Sequence, residues 1–249
     1  MQSQLESLIP IFLDSELNRF SLIGTGVLIE FRGEVFIVTA GHVIDALEVG
    51  YLMVPRLDGK IDGIKGVYSY LKRDRASDYL DIGYFKLDKN YASELKAIFY
   101  AIPENEFGIK PIYSSKEFMS FGGFPYRKQN VAGGVATTKE YIFGAYHADS
   151  VEYYELACNP EDNIVAKYNR KKAVNPHNGK IQVSVLPHGI SGGGIFIWPA
   201  NTDQIIPSNR KLIGIGHTYK ERGGYFIGTR LEVILGAILK NNPQLAVPT

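Results

Sequence analysis

The most constraining feature of this chain is a succession of short apolar or alternating segments. They include YLMV, GVYSYL, DIGYFKL, FMSFGGF, GGVATTKEYIFGAY, KIQVSVL, GIFIW, KLIGIGHTY and GGYFIGT, and Gly, Pro or polar residues separate them. Short strands at close turn spacing predict an all-β barrel or sandwich rather than a βαβ sheet. The 26 Gly, 13 Phe and 16 Tyr fit such a strand-rich, turn-rich fold.

The first clear hairpin is FSLIGTGVLIEFRGEVFIVTAGH, residues 20–42, with Arg32-Gly33 as its turn and AGHVIDAL as a helical turn after it. Three other stretches depart from the strand pattern. Residues 3–18 carry Leu5, Leu8, Ile9, Ile11, Phe12, Leu13 and Leu17 around Pro10 and read as a short helix or an extended lead-in. Residues 159–180, NPEDNIVAKYNRKKAVNPHNGK, are the most polar part and read as a long surface loop. In TRLEVILGAILKN, residues 229–241, the spacing of Leu231, Ile234, Leu235 and Ile238 predicts an amphipathic helix.

Bulk properties narrow the function classes. A formal charge of +1 on 249 residues provides no field for nucleic acid or an anionic membrane. The basic cluster Arg170 to Lys172 reads as a solvated loop face. One cysteine, Cys158, allows no internal disulfide. The N-terminal segment lacks a basic region followed by an apolar run, and no stretch approaches the roughly 18 apolar residues of a membrane helix. The expectation is a cytoplasmic protein. No metal or other cofactor is expected, since His147 and His177 have no ligand spacing with Cys158 or with each other.

PHGISGGGIF, residues 187–196, sets Ser191 among Gly189, Gly192, Gly193 and Gly194. Taken alone it is either a glycine-rich β-turn or a nucleophile loop. In the second case the Gly189 and Ser191 amides would form an oxyanion hole, and Gly192 and Gly193 would let the chain turn tightly into the next strand. His42 sits where an apolar strand gives way to a helical turn, and Asp81 directly precedes the strand in DYLDIGYFKL. In isolation, a satisfied core histidine and a strand-start cap explain them as well.

In the order His, Asp, Ser, the three blocks TAGHV, DIGYFKL and GISGGGIF resemble the signature blocks of the chymotrypsin-like (trypsin-fold) serine peptidases, particularly compact bacterial ones. The opening hairpin GTGVLIEFRGEVFIVTA, the strand LIGIGHTY and the element SFGGFP extend the likeness over roughly residues 20–232. The resemblance implies two packed antiparallel six-stranded β-barrels with a C-terminal helix. The corresponding division is 1–19 as lead-in, 20–118 as first barrel, 119–230 as second barrel and 231–249 as helix and tail. It also implies a serine endopeptidase with catalytic His42, Asp81 and Ser191, Gly189 and Ser191 amides as oxyanion donors, and a protein or peptide substrate. Asp81 is preferred over Asp78 because it alone stands in the D-I-G context.

Ile190 departs from the pattern of secreted members, which carry an aspartate there to pair with a new amino terminus. Substrate contacts map to Val185, Leu186, His188, Gly214, Gly216 and His217. With no acid at Val185 and Leu186, the resemblance implies an apolar or small side chain before the scissile bond. The competing reading is a catalytically silent trypsin-fold peptide-binding or interaction module. A regulated effector would add a regulatory protein partner.

Overall fold

The computed structural model describes residues 4–15, 20–71, 80–109, 117–126, 129–132, 135–174, 181–199 and 209–246. Its first unit is a curled antiparallel sheet. In chain order the strands are β1 (Leu8–Asp14), β2 (Phe20–Phe31), β3 (Glu34–Thr39), β4 (Tyr51–Pro55), β5 (Ile61–Gly63), β6 (Gly66–Tyr70) and β7 (Gly83–Leu87). They lie side by side as β5-β4-β1-β2-β3-β7-β6. Helices α1 (Gly41–Ile44) and α2 (Lys89–Lys96) are built on this sheet.

Arg32 and Gly33 both have positive φ, 52° and 72°, and link Phe31 to its ladder partner Glu34. Two left-handed residues make the turn twist with the strands, which is why the hairpin forms at that dipeptide. The stretch expected as a lead-in is extended and belongs to the sheet itself. β1 pairs with β2 along its whole length and with β4 at Phe12–Asp14. Leu8 and Phe12 enter one core cluster while Ile9 and Ile11 enter another. Burial on both faces removes the period-2 signal that would have marked β1 as a strand. Pro10 is tolerated because β4 pairs only beyond it.

The second unit is a closed barrel. Its strands are β8 (Phe118–Gly123), β11 (Tyr141–His147), β12 (Asn163–Lys167), β15 (Gly194–Ile197), β16 (Lys211–Lys220) and β17 (Tyr225–Arg230), closed in the order β11-β12-β17-β16-β15-β8. Two small hairpins flank it, β9 (Gln129–Ala132) with β10 (Val135–Thr138) and β13 (Ala173–Val174) with β14 (Ile181–Gln182). α3 (Ser150–Glu155) follows β11, and α4 (Leu231–Asn241) ends the fold.

The structure corrects two expectations here. Residues 159–180 are not one loop, because Asn163–Lys167 forms β12 in the barrel wall, paired with β17 over its full length. Ile164, Val165 and Ala166 are fully buried. Their short apolar run is hidden in the sequence by polar flanks on both sides. The first unit is a seven-stranded curled sheet rather than a closed six-stranded barrel: among the described residues no ladder joins β5 to β6.

α4 buries Leu231, Ile234, Leu235 and Ile238, the positions its periodicity selects. These residues share a cluster with Leu8, Phe12 and Phe36 of the first sheet and with Phe196, Leu212 and Ile215 of the barrel. Burial of this shared apolar surface locks the two units together and fixes the cleft between them. Among the described residues no helix is long and apolar enough to cross a membrane.

Candidate active site

Strand register brings the acid to the imidazole. β3 pairs with β7 so that Thr39 faces Gly83. Residues just after Thr39 therefore meet residues just before Gly83, and His42 and Asp81 stand there. His42 Nδ1 lies 2.5 Å from Asp81 Oδ2, and Asp81 Oδ1 accepts the His42 backbone amide at 3.0 Å. Both carboxylate oxygens thus engage the same residue, which fixes the ring against rotation. Asp81 is 4% exposed, while the His42 side chain is 38% exposed. A carboxylate at Nδ1 holds the proton on that nitrogen and leaves the Nε2 lone pair available. The Asp81 amide also donates to Thr229 Oγ1 on β17, 3.4 Å away. Asp78 lies outside the described residues.

The glycine-rich loop is a braced turn rather than a flexible one. The Ser191 carbonyl accepts from the Thr25 amide of β2 at 2.7 Å, and the Gly192 amide donates to the Gly216 carbonyl of β16 at 2.7 Å. Gly192 has φ +88°, and a Cβ there would lie 1.9 Å from the Thr25 carbonyl oxygen and 2.2 Å from Thr39 Oγ1. A Cβ on Gly193 would lie 1.8 Å from the Gly122 carbonyl oxygen. These glycines permit backbone-to-backbone approach that no side chain allows. The same approach sets Ser191–Gly192 against Thr39 and Ala40, at the base of the turn that carries His42. Ile190, fully buried, packs into the barrel cluster beside Phe121 and Val185.

The partly buried Ser191 directs its hydroxyl to the His217 carbonyl at 3.1 Å. Among the described residues the Gly189 and Ser191 amides donate to no protein acceptor.

The six expected substrate contacts fall into different environments. Val185 and Leu186 are partly buried, with Val185 against the aromatic cluster. His188 is exposed, its ring edge-on to Tyr219 at 6.1 Å between centroids. Gly216 supports the serine loop through hydrogen bonds to Gly192 and Gly193. Gly214 sits in the barrel wall, where a Cβ would meet the Thr229 carbonyl and Ile164. His217 does not present its ring to a rim, since it is 5% exposed with Nδ1 2.9 Å from Thr218 Oγ1. The reason is a β-bulge. The β16–β17 register jumps from Gly216 to Thr218, leaving His217 as the extra residue and aiming its carbonyl at Ser191.

Three supporting features carried no sequence signal of their own. Thr25 clamps Ser191 through its amide and Phe124 through Oγ1, the latter at 3.0 Å. Tyr126 places its amide on the His188 carbonyl at 3.1 Å. Tyr168, Tyr219 and Phe226 share a core cluster with Val185 and Ile190, with Phe226 stacked on Phe121 at 4.2 Å. The remaining candidates stay outside the site. His147 bonds the Tyr153 hydroxyl at 2.9 Å, and burial pushes the Cys158 thiol up to about 11. His177 lies outside the described residues, among which no three His, Cys, Asp or Glu side chains group as a metal site.

No protein-family model and no curated protein sequence matches the chain. Solved structures do match in fold. One described as HBP is 15% identical over 99% of this chain and 94% of its own, with a TM-score of 0.59. The scabies mite inactivated protease paralogue S-I1 is 11% identical over 97% and 96%, with a TM-score of 0.54. The serine endoprotease from Yersinia pestis is 15% identical over 96% of this chain and 63% of that one, with a TM-score of 0.53. The chain has the trypsin-like two-barrel fold, with one barrel closed and the other a curled half-barrel.

Proposed function

We propose that this chain is a serine endopeptidase working through His42, Asp81 and Ser191 by way of an acyl-enzyme. The observation that carries this reading is the His42–Asp81 pair, in which one carboxylate oxygen meets the imidazole Nδ1 at 2.5 Å and the other accepts the His42 backbone amide at 3.0 Å. A merely structural buried histidine needs no such two-point restraint. In the proposed reaction Ser191 Oγ turns from the His217 carbonyl toward His42 and attacks a peptide carbonyl carbon as Nε2 takes its proton. The carbonyl π electrons move onto oxygen, where the Gly189 and Ser191 amides receive the charge. Collapse of that adduct breaks the C–N bond, and His42 returns the proton to the departing amine. Asp81 stabilises the intervening imidazolium without taking the proton. Water then repeats the sequence on the ester.

A second reading, a silent peptide-binding module, draws support from the resting direction of the Ser191 hydroxyl toward the His217 carbonyl. Fold likeness does not choose between the two, since the similar structures include both an endoprotease and an inactivated paralogue. A fluorophosphonate probe separates them. The expected result is labelling of the wild type and none of Ser191→Ala. An unlabelled wild type across pH supports the module, and a labelled Ser191→Ala moves the nucleophile elsewhere.

A further inference from the structure

We infer that Tyr126 is a positioning residue that holds the Gly189 amide in its oxyanion-binding orientation, an inference that rests on the peptidase reading above. The starting point is the geometry of one peptide bond. The His188 carbonyl and the Gly189 amide belong to the same planar unit, which is trans, so they point in opposite directions. The Tyr126 amide donates to the His188 carbonyl at 3.1 Å. That bond fixes the Gly189 N–H on the opposite side, where it donates to nothing among the described residues. Reversing the peptide would break the Tyr126 bond and turn the His188 oxygen, an acceptor, into the space that a developing oxyanion needs.

The Tyr126 ring reinforces the same state. It lies on Gly189, where a Cβ would come within 2.5 Å of its Cδ1, and Gly189 has φ +91°. The phenol oxygen reaches the Ile23 carbonyl of β2 at 3.5 Å, so one side chain spans from the loop to the first sheet. On the other side of the loop, Ile190 is fully buried against Gly123, whose own Cβ would lie 2.9 Å from Ile190 Cβ. The loop is therefore held between an apolar anchor below and Tyr126 at its flank. No charged group is required at position 190. Tyr126 itself is 44% exposed.

The test compares Tyr126→Pro, which removes the amide donor, with Tyr126→Ala, which keeps the donor and removes the ring. The readouts are the acylation rate by p-nitrophenyl acetate, its pH–rate profile, and a thermal melt. The expected result for Tyr126→Pro is a loss of about 10²-fold, the scale of one oxyanion donor, with the melt and the shape of the pH profile retained. Tyr126→Ala should lose markedly less. Equal losses in the two variants, or a Tyr126→Pro rate within threefold of wild type, would overturn the inference. So would a rate loss that follows a lowered melt. If Tyr126→Pro does not fold, replacing Tyr126 by its α-hydroxy acid removes the same N–H and keeps the ring, with the same expected loss. A wild type that is never acylated at Ser191 sinks the peptidase reading itself, a result distinct from acylation that is indifferent to Tyr126.

Discussion

Replacing Asp81 by asparagine tests the carrying observation of the site most directly. Asparagine keeps the volume and one acceptor oxygen but turns the second oxygen into an NH2 donor. If the remaining oxygen stays on the His42 backbone amide, where Oδ1 now accepts at 3.0 Å, the NH2 faces Nδ1. Nδ1 must then act as acceptor, and the ring proton moves to Nε2, leaving no base for Ser191. A wrong tautomer of this kind costs about 10⁴ in rate, or about 5.5 kcal/mol at 1.36 kcal/mol per decade. The alternative rotamer faces the NH2 toward the backbone N–H, two donors against each other at a site 4% exposed, and is disfavoured. The assay is the second-order rate of fluorophosphonate labelling for wild type, Asp81→Asn and Asp78→Asn, alongside melts showing that the folds are retained. Asp81→Asn should drop about four decades at neutral pH, and Asp78→Asn should not. An Asp81→Asn rate within tenfold of wild type, or a collapse confined to Asp78→Asn, refutes the assignment.

Three further outcomes follow from the same geometry. Gly192→Ala meets the Thr25 carbonyl at 1.9 Å with φ +88°, so backbone strain alone should cost about 1–3 kcal/mol. In a chain of this size each kcal/mol lowers the melt by about 2–4 °C; an alanine variant that melts and acylates like wild type would show that the loop is not braced as described. The Glu140 carboxyl is pushed up to about 7, chiefly by burial and secondarily by Glu6, with Arg210 opposing. A raised acid binds its proton more tightly when folded, so its contribution to stability is present below the ordinary value of 4.5 and is lost as pH rises toward 7. Melts of Glu140→Gln at pH 5 and pH 8 should show a flatter pH dependence than wild type, and an unchanged slope would exclude this group. Finally, with no acid at Val185 and Leu186 and with Tyr219 packed against the core cluster that Val185 joins, peptides with a small or apolar residue before the scissile bond should be cleaved ahead of those with lysine. Tyr219→Ala should shift that preference toward larger side chains, as read by mass spectrometry of a peptide mixture.

What the sequence made legible depended on whether the physical cause was local. The Arg32-Gly33 turn and α4 follow from neighbouring residues alone, and both were readable. His42, Asp81 and Ser191 could be singled out as candidates because each sits at an edge where one element hands over to the next. β1 and β12 were obscured for opposite reasons. β1 is apolar on both faces, so it shows no alternation, whereas in β12 the apolar run is only three residues long between polar flanks. His217 shows a further limit. A histidine beside a strand suggests an imidazole in the cleft, yet the bulge that turns its carbonyl toward Ser191 arises only when β16 meets β17. The Thr25 and Tyr126 contacts depend on chain brought together across more than 60 residues, as the Thr25–Ser191 and Tyr126–His188 bonds do. Nothing in GTG or GGFPY by itself announces them.

Ile190 draws the two halves of the site together. In the secreted members of the resembled family, from which this sequence departs here, an aspartate at this place pairs with a newly exposed amino terminus. An isoleucine achieves anchorage by a different physical route. Fully buried beside Phe121 and Val185, it joins the barrel core as the chain folds, and the stabilisation comes from apolar surface removed from water. Such an anchor carries no charge, so it neither titrates nor weakens with salt. Loop order here is thus coupled to barrel packing, through Ile190, and to the flank, through Tyr126.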